Sequence, residues 1–425
     1  MTTLQSSHGA DSRYAWTRLG FALALMTLGG AGMYSMAVVL PPLQAEFGIA
    51  RAEASLPFTL TMIGFGLGGV LMGRLSDRFG VIVPVLLGSV CLGLGFTGAG
   101  FSHNLLQFTA IHGLLIGVGT SGTFVPLVAD ITLWFTRRRG VAVGIVMSGN
   151  YLAGTVWPPL MQHFIDTAGW RTTYMGTGVI CLFAMPLLAL ALRRKPPAIA
   201  GLAPSGALAR GASSNPERPL GFSPSRLQGL LCVSGVACCV AMSMPQVHMV
   251  AYCADLGFPA ARGAEMLALM MGFGIVSRLA SGWIADHIGG LRTLLLGAAL
   301  QATALALFLP FDGLAGLYAV SALFGLFQGG IVPSYPLIVR EYFAPREAGA
   351  RTGTVIMATL AGMALGGWMP GWIFDMTGSY RTAFVNGIAW SLVTTGIALF
   401  LLSRARPGWG LPATPGVHAE SRHPS

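Results

Sequence analysis

A chain of 425 residues that is 54% hydrophobic and only 9% charged, with a mean hydropathy of +0.68, lacks the composition of a water-soluble globular protein. Its formal charge of +10 would suit a polyanionic partner, but the basic residues are distributed as membrane topology requires, so nucleic acid is excluded as a partner. The six cysteines, Cys91, Cys181, Cys232, Cys238, Cys239 and Cys253, mostly lie in apolar runs without C-x-x-C spacing and read as buried small residues.

Apolar runs of about 20 residues, each able to cross ~30 Å of hydrocarbon as a helix, recur along the whole chain. They fall near 17–43, 54–73, 81–101, 105–132, 139–164, 171–192, 226–254, 263–284, 291–311, 313–341, 350–374 and 381–402, which predicts an all-α membrane protein of twelve transmembrane helices. The first run continues from Arg18 to Pro41 and Pro42 without a small-residue cleavage site and is read as helix 1 rather than a signal peptide. Of the 25 Lys and Arg, only Arg51, Arg171, Arg262 and Arg381 fall on one side of these spans, Arg278 falls inside one, and the remainder share the other side. By the positive-inside rule, both termini are then cytoplasmic.

Between Arg193 and Arg226 the apolar pattern stops, and RRKPP gives way to Ala, Gly, Ser and Pro, the composition of a flexible linker. The expected organisation is a tail at 1–16, a six-helix bundle at 17–192, a cytoplasmic linker at 193–225, a second six-helix bundle at 226–402 and a tail at 403–425. The halves also repeat. GRLSDRFG at 73–80 matches GWIADHIG at 282–289 with a constant separation of 209 residues (Gly73 to Gly282, Asp77 to Asp286, Gly80 to Gly289), and Asp166 and Gly169 stand opposite Asp375 and Gly378 at the same separation. Two like-oriented six-helix units are the organisation of a rocker-type transporter with its site between the halves.

Over nearly all of the chain outside the tails and linker, the sequence resembles the major facilitator superfamily. GRLSDRFG is similar to that superfamily's signature between helices 2 and 3, where Gly73 and Gly80 permit a tight turn and Asp77 and Arg78, with Asp286 in the second copy, would latch one access state. Here Val81, Ile82 and Val83 replace the basic residues that usually follow, and His287 stands opposite Arg78. YSMAVVLPPLQAEFGIARAEAS at 34–55, FVPLVADITLWFTRRRG at 124–140 and MPQVHMVAYCADLGF at 244–258 resemble the bacterial monocarboxylate transporters and the related oxalate/formate exchangers. In those families an arginine of helix 8 binds the substrate carboxylate, which implies that role for Arg278.

The residue's own surroundings point the same way. In MMGFGIVSRLASGW at 270–283, Arg278 is the only charged residue, and a charge within a span costs at least ~2.5–3.5 kcal/mol unless it faces a cavity or partner. Side chains tilt toward a helix's N-terminus, so Arg278 leans toward mid-membrane, away from the nearer surface. Gly274 and Gly282 share its face and are expected to leave room beside it. Gly274 also stands where animal members of the monocarboxylate family carry an acid, and no carboxylate is expected at mid-membrane; Asp130 and Glu265 fall near span ends. A cation without a counter-ion favours a ligand that supplies charge and two acceptors, as a carboxylate does.

Around it, Asn150, Tyr34, Phe124 and Tyr335 are candidates for a hydrogen bond or an apolar wall, and helix packing explains each of them equally well. Phe124 occupies a position where family members often carry tyrosine, so a more apolar pocket is expected. His248 in helix 7 is the candidate proton relay, and His112 a weaker one. Glycine clusters at 29, 30 and 32 and at 362, 366 and 367 are expected to admit close helix contact.

These readings converge on a secondary transporter of a small organic anion, with a monocarboxylate as the expected class, working by alternating access with proton symport. Anion exchange, drug/proton antiport and a non-transporting carboxylate sensor are the alternatives. GNYLAGTVWPP lacks the G-P-x-x-G-G pattern of drug exporters, and neither a Walker-type loop nor a Ser/His or metal constellation is evident, so no enzymatic activity, metal or cofactor is expected. The expected partners are the anion, protons and the lipid bilayer. A monomer in the inner (plasma) membrane is the family expectation.

Overall fold

In the computed structural model, residues 11–194 and 219–405 are described; most of the expected linker and tails lies outside them. Among the described residues, twelve helices are long and apolar enough to span a membrane: α1 (Arg13–Phe47), α2 (Arg51–Phe79), α3 (Ile82–Gly100), α4 (Leu105–Trp134), α5 (Gly140–Ala168), α6 (Trp170–Leu192), α7 (Pro224–Asp255), α8 (Ala260–Ile288), α9 (Gly290–Leu307), α10 (Leu314–Tyr342), α11 (Glu347–Thr377) and α12 (Tyr380–Arg404). Most outrun their apolar segments. The α2 helix, expected over 54–73, continues through Arg74 and Arg78, because helical backbone satisfies its own hydrogen bonds beyond the hydrocarbon as well as within it. Among the described residues there is no strand.

Three helices are interrupted. The α1 helix is jointed at Gly30, α4 carries a π-helical turn at His112–Gly117 and a break at Gly122–Phe124, and α10 breaks at Gly329–Gly330. Within the first bundle α1 packs on α5, α2 on α4 and α3 on α6; in the second, α7 packs on α11, α8 on α10 and α9 on α12. Contacts between bundles run along α2 with α11 and α5 with α8, which exchange under the two-fold that relates the halves, and along α1 with α7. The repeated turns confirm the relationship locally. Gly80 and Gly289 both have φ of 83°, a conformation that side chains resist, and their N–H groups close on Ser76 and Ala285 carbonyls at 2.8 and 2.9 Å.

With twelve spans among the described residues, the start of α1 and the end of α12 lie on one face, here the terminus side, and the opposite face is the far side. One polar contact inside the first bundle was not legible in the sequence. Arg18 and Asp130, 1% and 6% exposed, form a pair with two N–H···O bonds of 2.8 Å, and Arg18 also lies 4.6 Å from the Trp134 ring centroid. The pair ties α1 to α4.

Candidate functional site

Arg278 is half-buried on α8, facing α5 of the other bundle. Its guanidinium carbon lies 4.8 Å from the ring centroid of Tyr151, and Nη1 is 3.5 Å from the Met147 carbonyl, the outer limit of a hydrogen bond. The Nε–H is buried and unpartnered. All six ion pairs among the described residues involve other arginines, so Arg278 has no protein counter-ion there.

The room expected beside it is half taken. A Cβ on Gly274 would lie 2.4 Å from Tyr151 Cε1, so the ring fills the space above that glycine, whereas nothing lies within 4 Å of a Cβ on Gly282. Tyr34 of α1 packs in the same way on Gly154, three residues along α5 from Tyr151, together with Met271 of α8. Small residues on one helix thus seat aromatic rings from the next. Arg278, Tyr151 and Tyr34 are brought together where α1, α5 and α8 meet.

The other candidates are dispersed. Asn150 is half-buried and forms no side-chain hydrogen bond among the described residues; successive helical residues point about 100° apart, and its neighbour Tyr151 takes the face toward α8. Sequence alone does not single out Tyr151, because its importance lies in a glycine 123 positions away (Gly274). Phe124 packs edge-on against Phe65 within the first bundle, with centroids 5.7 Å apart. Tyr335 is fully buried in the second bundle, its hydroxyl 3.0 Å from Ser234 Oγ and 3.3 Å from Cys238 Sγ, which engages it away from Arg278.

His248 is fully buried and held at both nitrogens, with Nδ1 2.8 Å from the Tyr380 hydroxyl and Nε2 2.8 Å from the Gly367 carbonyl. A carbonyl only accepts, so Nε2 donates and Nδ1 accepts from Tyr380. His112 is packed likewise, between Thr61 at 3.1 Å and Tyr174 at 3.4 Å. On the terminus side, Asp77, Arg78 and Asp286 are exposed, and none forms an ion pair among the described residues; Arg78 lies 5.1 Å from its neighbour Phe79. Gly73 is half-buried against Val125. The ion pairs expected of a latch there are therefore not formed among the described residues.

Over residues 20–320 the chain matches the sequence pattern of the Major Facilitator Superfamily. The chain belongs to that superfamily. This facilitator is 28% identical to monocarboxylate transporter 13 of Bos taurus, over 82% of this chain and 79% of the relative. It is also 28% identical to monocarboxylate transporter 11 of Homo sapiens, over 96% and 87% respectively. A bacterial homolog of the human lysosomal transporter Spinster, crystallised in an inward-facing and occupied conformation, shares the fold with a TM-score of 0.70 and 13% identity, covering 93% of this chain and 97% of that one.

Proposed function

We propose that this facilitator carries a small monocarboxylate across the membrane by alternating access, with Arg278 holding the carboxylate. The observation that carries this reading is a guanidinium stacked on Tyr151, with no ion pair and a buried Nε–H without an acceptor among the described residues. A planar cation in a low-dielectric setting gains most from a ligand that delivers a negative charge and two acceptors together. The names of the relatives support the same substrate class. Orientation follows from the arginines: the terminus side is cytoplasmic, the far side external, and the membrane is the plasma (inner) membrane.

A monoanion entering alone against an inside-negative potential loses roughly 2.3 kcal/mol per 100 mV, so uptake needs a compensating charge. A proton carried with the acid supplies it in the first reading. Exchange against a second anion is the second reading, favoured by the engagement of both His248 nitrogens and the lack of an acid beside Arg278. Uptake of labelled short-chain acids into proteoliposomes tests both. Accumulation driven by an inward proton gradient into empty vesicles supports symport; accumulation only after preloading, indifferent to the gradient, supports exchange. Failure to move or bind any small carboxylate would overturn the proposal itself.

A further inference from the structure

On the far side, charged contacts join the two bundles, and no such contacts are found on the terminus side among the described residues. Arg51, the first residue of α2, forms a bidentate ion pair with Asp255 at the end of α7, in the other bundle. Its guanidinium carbon lies 3.9 Å from the Phe374 ring centroid and 5.3 Å from that of Tyr380, and Gln44 Oε1 accepts from its Nε at 3.2 Å. Asp375, at the end of α11, accepts the backbone N–H groups of Arg51 and Ala52 at 2.9 and 2.7 Å. The free N-terminus of α2 is thus capped by a carboxylate from the opposite bundle, which satisfies two orphan donors and faces the positive end of the helix dipole.

The internal repeat shows that this arrangement is specific to one interface. At the repeat separation of 209 residues, Asp255 corresponds to Glu46, Asp375 to Asp166 and Arg51 to Ala260. Glu46 is paired inside its own bundle, with Arg171 at 2.6 Å, and Asp166 accepts from Gln162 of its own helix at 2.8 Å. In the second bundle Arg381 pairs instead with Asp312 at 2.7 Å, which leaves Asp255 free to reach across. A general packing need would have produced the contact on both pseudo-equivalent interfaces. Among the described residues, only α2 with α11 and α7 carries it.

His248 belongs to the same assembly. The Tyr380 hydroxyl donates to its Nδ1, its Nε2 donates to Gly367 of α11, and Gly367 sits against Phe58 of α2, where a Cβ would come within 2.2 Å of the ring. The imidazole therefore fixes the Tyr380 ring beside Arg51 and ties it to the helix that supplies Asp375.

We propose that Arg51, Asp255 and Asp375 form a catch that holds this carrier closed on its far side, with His248 as a positioning residue that braces Tyr380 rather than as a proton relay. The catch must release for the far side to open, and its strength sets the balance between the two access states. This rests on the alternating-access part of the proposed function but needs no substrate, so a wrong carboxylate assignment would leave it standing.

Hydrogen–deuterium exchange on the full-length protein tests it. In Arg51→Gln and in the milder Asp375→Asn, segments 51–60 and 366–375 should exchange faster by roughly tenfold or more, as expected for loss of charge-assisted bonds. At the same time segments 71–80 and 282–290 on the terminus side should become more protected. Acceleration without that reciprocal protection would mean local fraying and would overturn the catch. His248→Ala should reproduce the shift. His248→Gln, whose amide can still accept from Tyr380 and donate to Gly367, should remain near wild type, although glutamine cannot carry a proton. If His248→Gln instead behaves like the alanine variant, the bracing role is wrong.

Discussion

Replacing Arg278 with lysine keeps the charge and removes the plane. The guanidinium lies 4.8 Å from the Tyr151 ring centroid and has an unpartnered buried Nε–H, so it can offer a carboxylate two parallel donors while remaining stacked. An ammonium keeps one charge-assisted bond of the two, at a loss of about 1.5–3 kcal/mol. It also forfeits the flat contact with the ring, a further ~0.5–1 kcal/mol. Together these come to about 2–4 kcal/mol, and at 1.4 kcal/mol per decade affinity should fall roughly 30- to 700-fold. Membrane insertion should be unchanged, since the two cations cost about the same within a span. The measurements are KM for acid uptake into proteoliposomes and the acid concentration that half-saturates thermal stabilisation of the purified protein. A lysine variant within about twofold of wild type in both would refute the bidentate argument. Wild-type uptake by Arg278→Ala would remove the residue from the site altogether.

Gly274→Ala should expel the Tyr151 ring, since the new Cβ would meet Cε1 at 2.4 Å; a stability loss of about 1–3 kcal/mol and weaker acid binding are expected, and Gly274→Ala with unchanged KM would show that the ring does not position Arg278. Asp130→Asn leaves the buried Arg18 without its counter-charge and should lower thermal stability by roughly 3–5 kcal/mol in detergent, whereas an unchanged unfolding midpoint would mean the pair contributes nothing net. For orientation, cysteines introduced at His103 and Pro259 on the exposed far side should react with an impermeant reagent in intact cells, and sites in the 196–224 segment should not; the opposite pattern would invert the topology. Ser102 is a poorer reporter than its neighbour because it is 2% exposed.

The helices and the repeat were readable because their causes are local or periodic. A span announces itself by about 20 apolar residues, and the duplicated glycines mark turns that need positive φ, as Gly80 and Gly289 have. Arg278 stood out for an equally local reason, the cost of a charge among apolar neighbours. Which groups surround it was another matter. The amphipathic signal in a membrane helix is weak because lipid and protein interior are similarly apolar, so sequence does not tell Asn150 from Tyr151 on α5, and packing turns Tyr151 toward Arg278. Tyr335 and Phe124 have the chemistry of a binding wall, but packing buries Tyr335 inside the second bundle and sets the half-buried Phe124 against Phe65 of the first. The pairs Arg18 with Asp130 and Arg51 with Asp255 join residues 112 and 204 positions apart, and the same carboxylate chemistry in the two repeats goes to different partners. Sequence alone determined that there are two six-helix halves and one charge without an obvious partner. Only tertiary packing decided which carboxylates stay within a half and which reach across, because each ion pair forms wherever the closed interface brings its desolvated charges together.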